Sequence, residues 1–368
     1  MRRVLGLLAA GAFAAAGVAA CSGGGGEEQA AAEKPARSTT TTTTTTTLPP
    51  PPVAPLTGVA DPSGASLTRS ALSVKIENSP EARPQTGLEL ADVVFEEVVE
   101  GGITRFVVIF NSNVPEAVGP IRSVRDMDPN IVWPLGGVFA YSGGAPGPDA
   151  HIRDAPVNPV DESATGTAMY REGSRAAPHN LYGWGQALYD RGGQPAPPPP
   201  LFRYLEAGET IVGEPVLSAR VGFQAGYDPT WTYDPATNTW LRSYGFQPFL
   251  TASGVQVAPV NVVVQFIHYR AWSDGVTVGG GDVWVFSGGQ LVRGKWLRGA
   301  PEETTLFVDG AGNPIELTPG PTWVELVPIG TAVDVVPAPP PPPPPTEATT
   351  TTTAAPDTKA EKKQNGGD

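Results

Sequence analysis

Four charged residues interrupt two apolar runs in the first third of the chain: Glu96, Glu97, Glu100 and Arg105, within Asp92–Asp126. Ionised side chains are costly inside a sheet unless they are paired or face water. If the runs are strands, Glu96 and Glu100 share one face and Glu97 takes the other. Two carboxylates on one face could act as acid and base in glycoside cleavage, or hold a cation. The alternative is structural: a sheet face open to water, with Arg105 pairing one glutamate across the hairpin. Just beyond lie Arg122, Arg125 and Asp126, after Gly119-Pro120. Forked guanidiniums suit carboxylate or phosphate oxygens, unless they neutralise Glu96 or Glu100. His179-Asn180 stands at what reads as a helix start, a position suited to an anion or to acid–base work. Only His151 and His268 accompany His179, so no metal site is expected. No GxSxG elbow, phosphate loop or dinucleotide glycine pattern is present, and no cofactor is expected.

The elements that must carry these residues read as follows. Val93–Val99 and Ile103–Phe110 are rich in Val, Ile and Phe, as strands are, and the Gly101-Gly102 step joins them as a hairpin. Leu72–Ile76 and Pro134–Tyr141 read as further strands, and Leu88–Ala91 as a short helix. Asn180–Asp190 reads as a helix with Leu181, Trp184 and Leu188 at helical spacing, capped by Asn180 and stopped at Gly192-Gly193. Gly147–Ala177 lacks periodicity and reads as a functional loop or cover. Gln194–Pro200 is a proline-rich crossing. After it come short strand candidates, among them Val260–Tyr269, Asp282–Phe286, Gln290–Leu297 and Thr322–Val327. The fold class is therefore α+β: a mixed α/β N-terminal domain over 55–200, then a mainly antiparallel β-rich C-terminal domain over 201–335. The second domain's Trp231, Tyr233, Trp240, Trp284, Trp296 and Trp323 are either core or a sugar-stacking surface.

A net charge of -13 over 368 residues argues against nucleic acid or an anionic membrane face as partner. The single cysteine, Cys21, excludes a disulfide framework and cysteine-built zinc or iron–sulfur sites. Residues 1–21 read as a secretory signal: Arg2 and Arg3, an apolar run, then Val18-Ala19-Ala20-Cys21, which resembles a bacterial lipobox. Acyl chains such as palmitate on Cys21 would hold the protein on the extracytoplasmic face of the cell membrane. Residues 22–54, with Thr39–Thr47 and Pro49–Pro52, read as a disordered tether, and 336–368 as a disordered tail.

Several strings together resemble a known family: Pro55-Leu56-Thr57-Gly58, Arg83-Pro84-Gln85-Thr86-Gly87, Val99-Glu100-Gly101-Gly102-Ile103-Thr104-Arg105-Phe106, Gly119-Pro120-Ile121-Arg122-Ser123-Val124-Arg125 and Ala177-Pro178-His179-Asn180-Leu181-Tyr182, with Gly294-Lys295-Trp296 further on. The chain is similar to the YerB-like two-module bacterial lipoproteins of unknown function, mostly from Gram-positive bacteria. That resemblance implies an extracytoplasmic lipoprotein and brings no reaction with it. Three functions stay open. In the first, the protein binds a cell-wall polymer or an envelope protein without catalysis, with Glu96, Glu100, Arg105, Arg122, Arg125, His179 and Asn180 lining the surface. In the second, it is a hydrolase or transferase of wall glycan or stem peptide, using Glu96 or Glu100 with His179. In the third, it is a structural partner of a membrane complex.

Overall fold

Strand alternation explains the centre of the molecule. In β1 (Leu72–Glu77), Leu72, Val74 and Ile76 face one way and Ser73, Lys75 and Glu77 the other, and all six are buried. β2 (Val93–Val98) and β3 (Thr104–Phe110) form the expected antiparallel hairpin, with Glu97 opposite Arg105 and Val98 opposite Thr104. Its turn is a 3-10 stretch, Glu100–Gly102, in which Gly101 and Gly102 hold φ of 76° and 74°, a conformation that favours glycine. β2 stops at Val98, so Glu100 lies outside the strand and does not share its face with Glu96. The structure is a computed structural model that describes residues 51–192, 196–223 and 226–339. Cys21, the tether up to residue 50 and the tail from 340 lie outside the described residues.

The N-terminal region mixes strands with short helices. After the hairpin come β4 (Ala117–Val118), α1 (Asp128–Val132), β5 (Val138–Tyr141), α2 (Pro146–Asp154), β6 (Asn158–Asp161), β7 (Met169–Arg171), β8 (Leu181–Trp184) and α3 (Gly185–Tyr189). Two expectations change here. Gly147–Ala177 carries regular elements where none was expected. It holds most of α2, all of β6, which extends the sheet in parallel beside β5, and β7. Pro146 starts α2 without losing a hydrogen bond, and Ile152 anchors it in the core. The helix expected over Asn180–Asp190 is a strand followed by a single helical turn. Tyr182 lies opposite Tyr170 on β7, and Tyr170 stacks on Trp184 at 4.4 Å, so ladder and stacking override the helical spacing.

The C-terminal region is almost entirely strands: β9 (Glu214–Val221), β10 (Pro229–Asp234), β11 (Thr239–Tyr244), β12 (Gln247–Pro248), β13 (Asn261–Tyr269), β14 (Gly275–Val276), β15 (Gly279–Ser287), β16 (Gln290–Arg298), β17 (Leu306–Asp309), β18 (Thr322–Pro328) and β19 (Val333–Pro337). Gly288 and Gly289, both at positive φ, close the two-residue β15–β16 hairpin. β18 lies parallel to both β13 and β2. One sheet therefore runs β12-β11-β10-β9-β16-β15-β13-β18-β2-β3-β1-β5-β6 through both regions. Apolar clusters cover both of its faces. Val94, Phe106, Val108 and Trp323 belong to one, and Val93, Val107, Ile109 and Val324 to the other. On the first face, Trp231 of β10 packs against Trp323, and Phe249 packs against Phe106.

Candidate functional site

The β2–β3 hairpin presents charges to both sheet faces. On the first face, Glu96 and Glu325 of β18 flank Arg242 of β11, and all three are fully buried. Arg242 Nη1 lies 2.8 Å from Glu96 Oε2 and 3.3 Å from Glu325 Oε1. Tyr244 accepts from Arg242 Nη2, Thr104 donates to Glu96, and the indoles of Trp323 and Trp231 donate to Glu96 and Glu325 respectively. The guanidinium also lies over the Trp323 ring at 4.6 Å and over the Phe249 ring at 4.9 Å, a favourable cation–π setting. Burial, and then the neighbouring Glu96 carboxylate, push Glu325 well above the ordinary carboxylate range. Burial works against the Arg242 cation, but Glu96, Tyr244 and Glu325 more than offset it and hold its pKa above the usual arginine value.

On the second face, Lys75 is buried between Glu97 and Asp128, at 2.7 Å from Asp128. Burial and the adjacent Asp128 raise Glu97 to about 8, against the pull of Lys75. The other Asp128 oxygen accepts the backbone N–H of Arg125 at 2.7 Å. Arg122 N–H donates to the Lys75 carbonyl, and Val124 N–H to that of Gly143. This buried network fixes the Gly119–Arg125 segment across the end of β1.

Three guanidiniums gather there. Arg122 Nε is at ion-pair distance from Glu77 Oε2, 3.1 Å, and Arg125 from Glu100 Oε2, 2.9 Å. Arg105 is different. It is only 7% exposed, and Nη1 donates to the Ser123 carbonyl at 3.0 Å. Its Nε has no hydrogen-bond partner among the described residues, and no carboxylate there lies within ion-pair distance. Burial, with Arg125 and Arg122 close by, lowers its pKa to about 10. Glu100 and Glu77 pull the other way, but from beyond ion-pair distance, and do not offset the loss.

His179 borders this cluster. Its Nδ1 lies 3.0 Å from Glu77 Oε2 and 3.4 Å from Ser79 Oγ, and Ser79 donates to the other Glu77 oxygen. Serine and glutamate thus meet the same ring nitrogen. A serine–histidine–acid relay uses opposite ring nitrogens, so these residues hold the ring in place and are not arranged for nucleophilic catalysis by Ser79.

The structure therefore brings together Glu100, Arg105, Arg122, Arg125 and His179, and separates two of the expected residues from them. Glu96 is enclosed on the opposite face, paired with Arg242. The cause is strand alternation: Arg105 and Glu97 point away from Glu96. Asn180 is 8% exposed. Its amide donates to the carbonyls of Glu172 and Arg175, and its oxygen accepts from Arg171, so it fixes the loop before His179. Arg105 does not pair Glu97, its cross-strand neighbour, because Lys75 holds that carboxylate. Trp231, Trp240, Trp296 and Trp323 are buried, and no sugar can reach them. Sequence reasoning missed Lys75, Glu77, Arg242 and Glu325. The polar alternation Ser73, Lys75, Glu77 was a usable signal for the first two; nothing local marks Arg242 and Glu325.

Comparison with known proteins follows the same division of the chain. Residues 56–195 match the family described as "Protein of unknown function (DUF3048) N-terminal domain", and residues 219–324 match its C-terminal domain. "Putative lipoprotein YerB" of Bacillus subtilis (strain 168) is 35% identical over 130 residues, which is 35% of this chain and 39% of that protein. The matched stretch thus spans well under half of the relative's length. The crystal structure of YerB protein from Bacillus subtilis superposes with a TM-score of 0.67 at 24% identity. The match covers 77% of this chain and 99% of that one, and so speaks to the fold.

Proposed function

We propose, since the chain belongs to the DUF3048 family, that it works as a lipid-anchored protein of the bacterial envelope whose body binds an anionic group on a cell-wall polymer. The observation that carries this reading is Arg105: a nearly buried guanidinium with no carboxylate within ion-pair distance among the described residues, beside Arg122 and Arg125. Three guanidiniums face two carboxylates, Glu77 and Glu100, which leaves one positive charge for a carboxylate or phosphate group to meet. On a chain of net charge -13 that charge is local, so it acts by contact and not by long-range attraction.

Cys21, after Val18-Ala19-Ala20, supplies the anchor, and the matched relative carries the name lipoprotein. No helix among the described residues is long and apolar enough to cross a membrane. Labelled fatty acid should enter the wild-type chain and not the Cys21→Ala variant; incorporation into both would remove the anchor. For the body, the detergent-solubilised chain is incubated with fractionated envelope polymers, and both retention and released products are scored. Retention without turnover is expected for anionic fractions. New reducing ends or freed peptides would replace this reading with a hydrolase, and no retention would leave a protein partner.

A further inference from the structure

The turn between β13 and β14, Arg270–Asp274, comes from the C-terminal region yet lies against the arginine segment. Ser273 is 4% exposed and sits at φ 68°, a region that non-glycine residues seldom occupy. Its hydroxyl donates to Glu100 Oε1 at 3.3 Å, and the other Glu100 oxygen holds Arg125. At Gly275 an added Cβ would stand 2.7 Å from Met127 Cε, so the turn packs directly on the residues that follow Arg125. One residue before Ser273, Trp272 is 58% exposed. The exposed Trp184 has a ring face covered by Tyr170, whereas no aromatic ring or cation stacks on Trp272 among the described residues. An exposed indole on a turn that is tied through Ser273 and Glu100 to Arg125 is matched by a ring with an apolar face and an adjacent negative group.

We propose that Trp272 stacks on a sugar ring whose phosphate or carboxylate is held by Arg105, Arg122 and Arg125, so that the site takes an anionic saccharide. The inference rests on the envelope-polymer reading above and gives that polymer its chemical class. It also gives the C-terminal region a part in the site.

Titration calorimetry on the detergent-solubilised full chain tests it, with inorganic phosphate, acetate, glucose 1-phosphate, glucuronate and adenosine monophosphate as probes. The phosphate and glucuronate arms tell the two anion sources apart. The sugar anion should bind about tenfold tighter than its bare counterpart. Trp272→Ala should erase that advantage while the bare anion still binds, and Trp272→Phe should keep most of it. If Trp272→Ala leaves sugar-anion affinity unchanged, the stacking inference fails and the anion site stands. Tighter binding of adenosine monophosphate than of glucose 1-phosphate would also overturn it, by making the stacked ring a base. If no anion binds the wild-type chain, both proposals fall.

Discussion

On one side of the β2–β3 hairpin, Glu96 meets Arg242 and Glu325 with every side chain sealed from water. On the other side, Arg105 is almost as buried and has no carboxylate within ion-pair distance among the described residues. The first arrangement is closed: the guanidinium meets carboxylates, a phenol and aromatic faces, and its partners come from both regions of the chain. It registers one region on the other through a single sheet. The second leaves its buried cation with no carboxylate within ion-pair distance among the described residues, next to two further cations. Opposite treatment of like charges on two faces of one hairpin teaches that burial alone does not mark a site. What marks it is burial with no carboxylate within ion-pair distance, beside two cations that are themselves partly exposed.

The largest expected effect comes from breaking the closed side. Arg242→Met leaves Glu96 buried without its cation and should cost about 3–5 kcal/mol, read by urea unfolding. Adding Glu96→Gln should recover part of that loss. A cost below about 1 kcal/mol would mean that the closed network does not join the regions. Next, Arg105→Met should weaken binding of inorganic phosphate by about tenfold or more while raising stability by about 1 kcal/mol, since it removes a desolvated cation repelled by its neighbours. Loss of binding with loss of stability would make Arg105 a structural residue and dissolve the contrast.

A smaller effect concerns pH. Glu97 titrates at about 8 in the folded chain against 4.5 for an ordinary glutamate, so between those values the folded state holds more protons than the unfolded state. Stability from this group is complete below about 4.5 and falls as pH rises toward about 8. Glu97→Gln should flatten that fall when melting temperatures are compared at the two ends; an unchanged slope would show that Glu97 is already ionised beside Lys75. The smallest effect belongs to the partly exposed pair at the rim. Glu100→Gln should change stability by less than about 1 kcal/mol, because water and salt screen Arg125 there.

Part of this was legible from residue types alone. The hairpin, its glycine turn, the β-rich second half and the gathering of Arg105 with Arg122 and Arg125 follow from apolar runs, glycine placement and arginine spacing. So does the opposite facing of Glu96 and Glu97, because strand alternation is local. The helix expected over Asn180–Asp190 failed because Leu181, Tyr182 and Trp184 have a β ladder to join, and a ladder partner is not a property of the segment itself. Glu96 was misplaced for a related reason: its cation, Arg242, lies 146 residues away.

Local sequence, then, determined that the two runs of the hairpin are strands, where the hairpin turns and that Glu96 and Glu97 take opposite sides, since these depend on neighbours within a few positions. Only the tertiary structure decided which charges are neutralised. That choice rests on Lys75 reaching Glu97 before Arg105 can, on Arg242 arriving from the far region to close over Glu96, and on the β13–β14 turn bringing Ser273 to Glu100. Coulombic pairing and desolvation depend on distance in space, and spacing along the chain does not encode it.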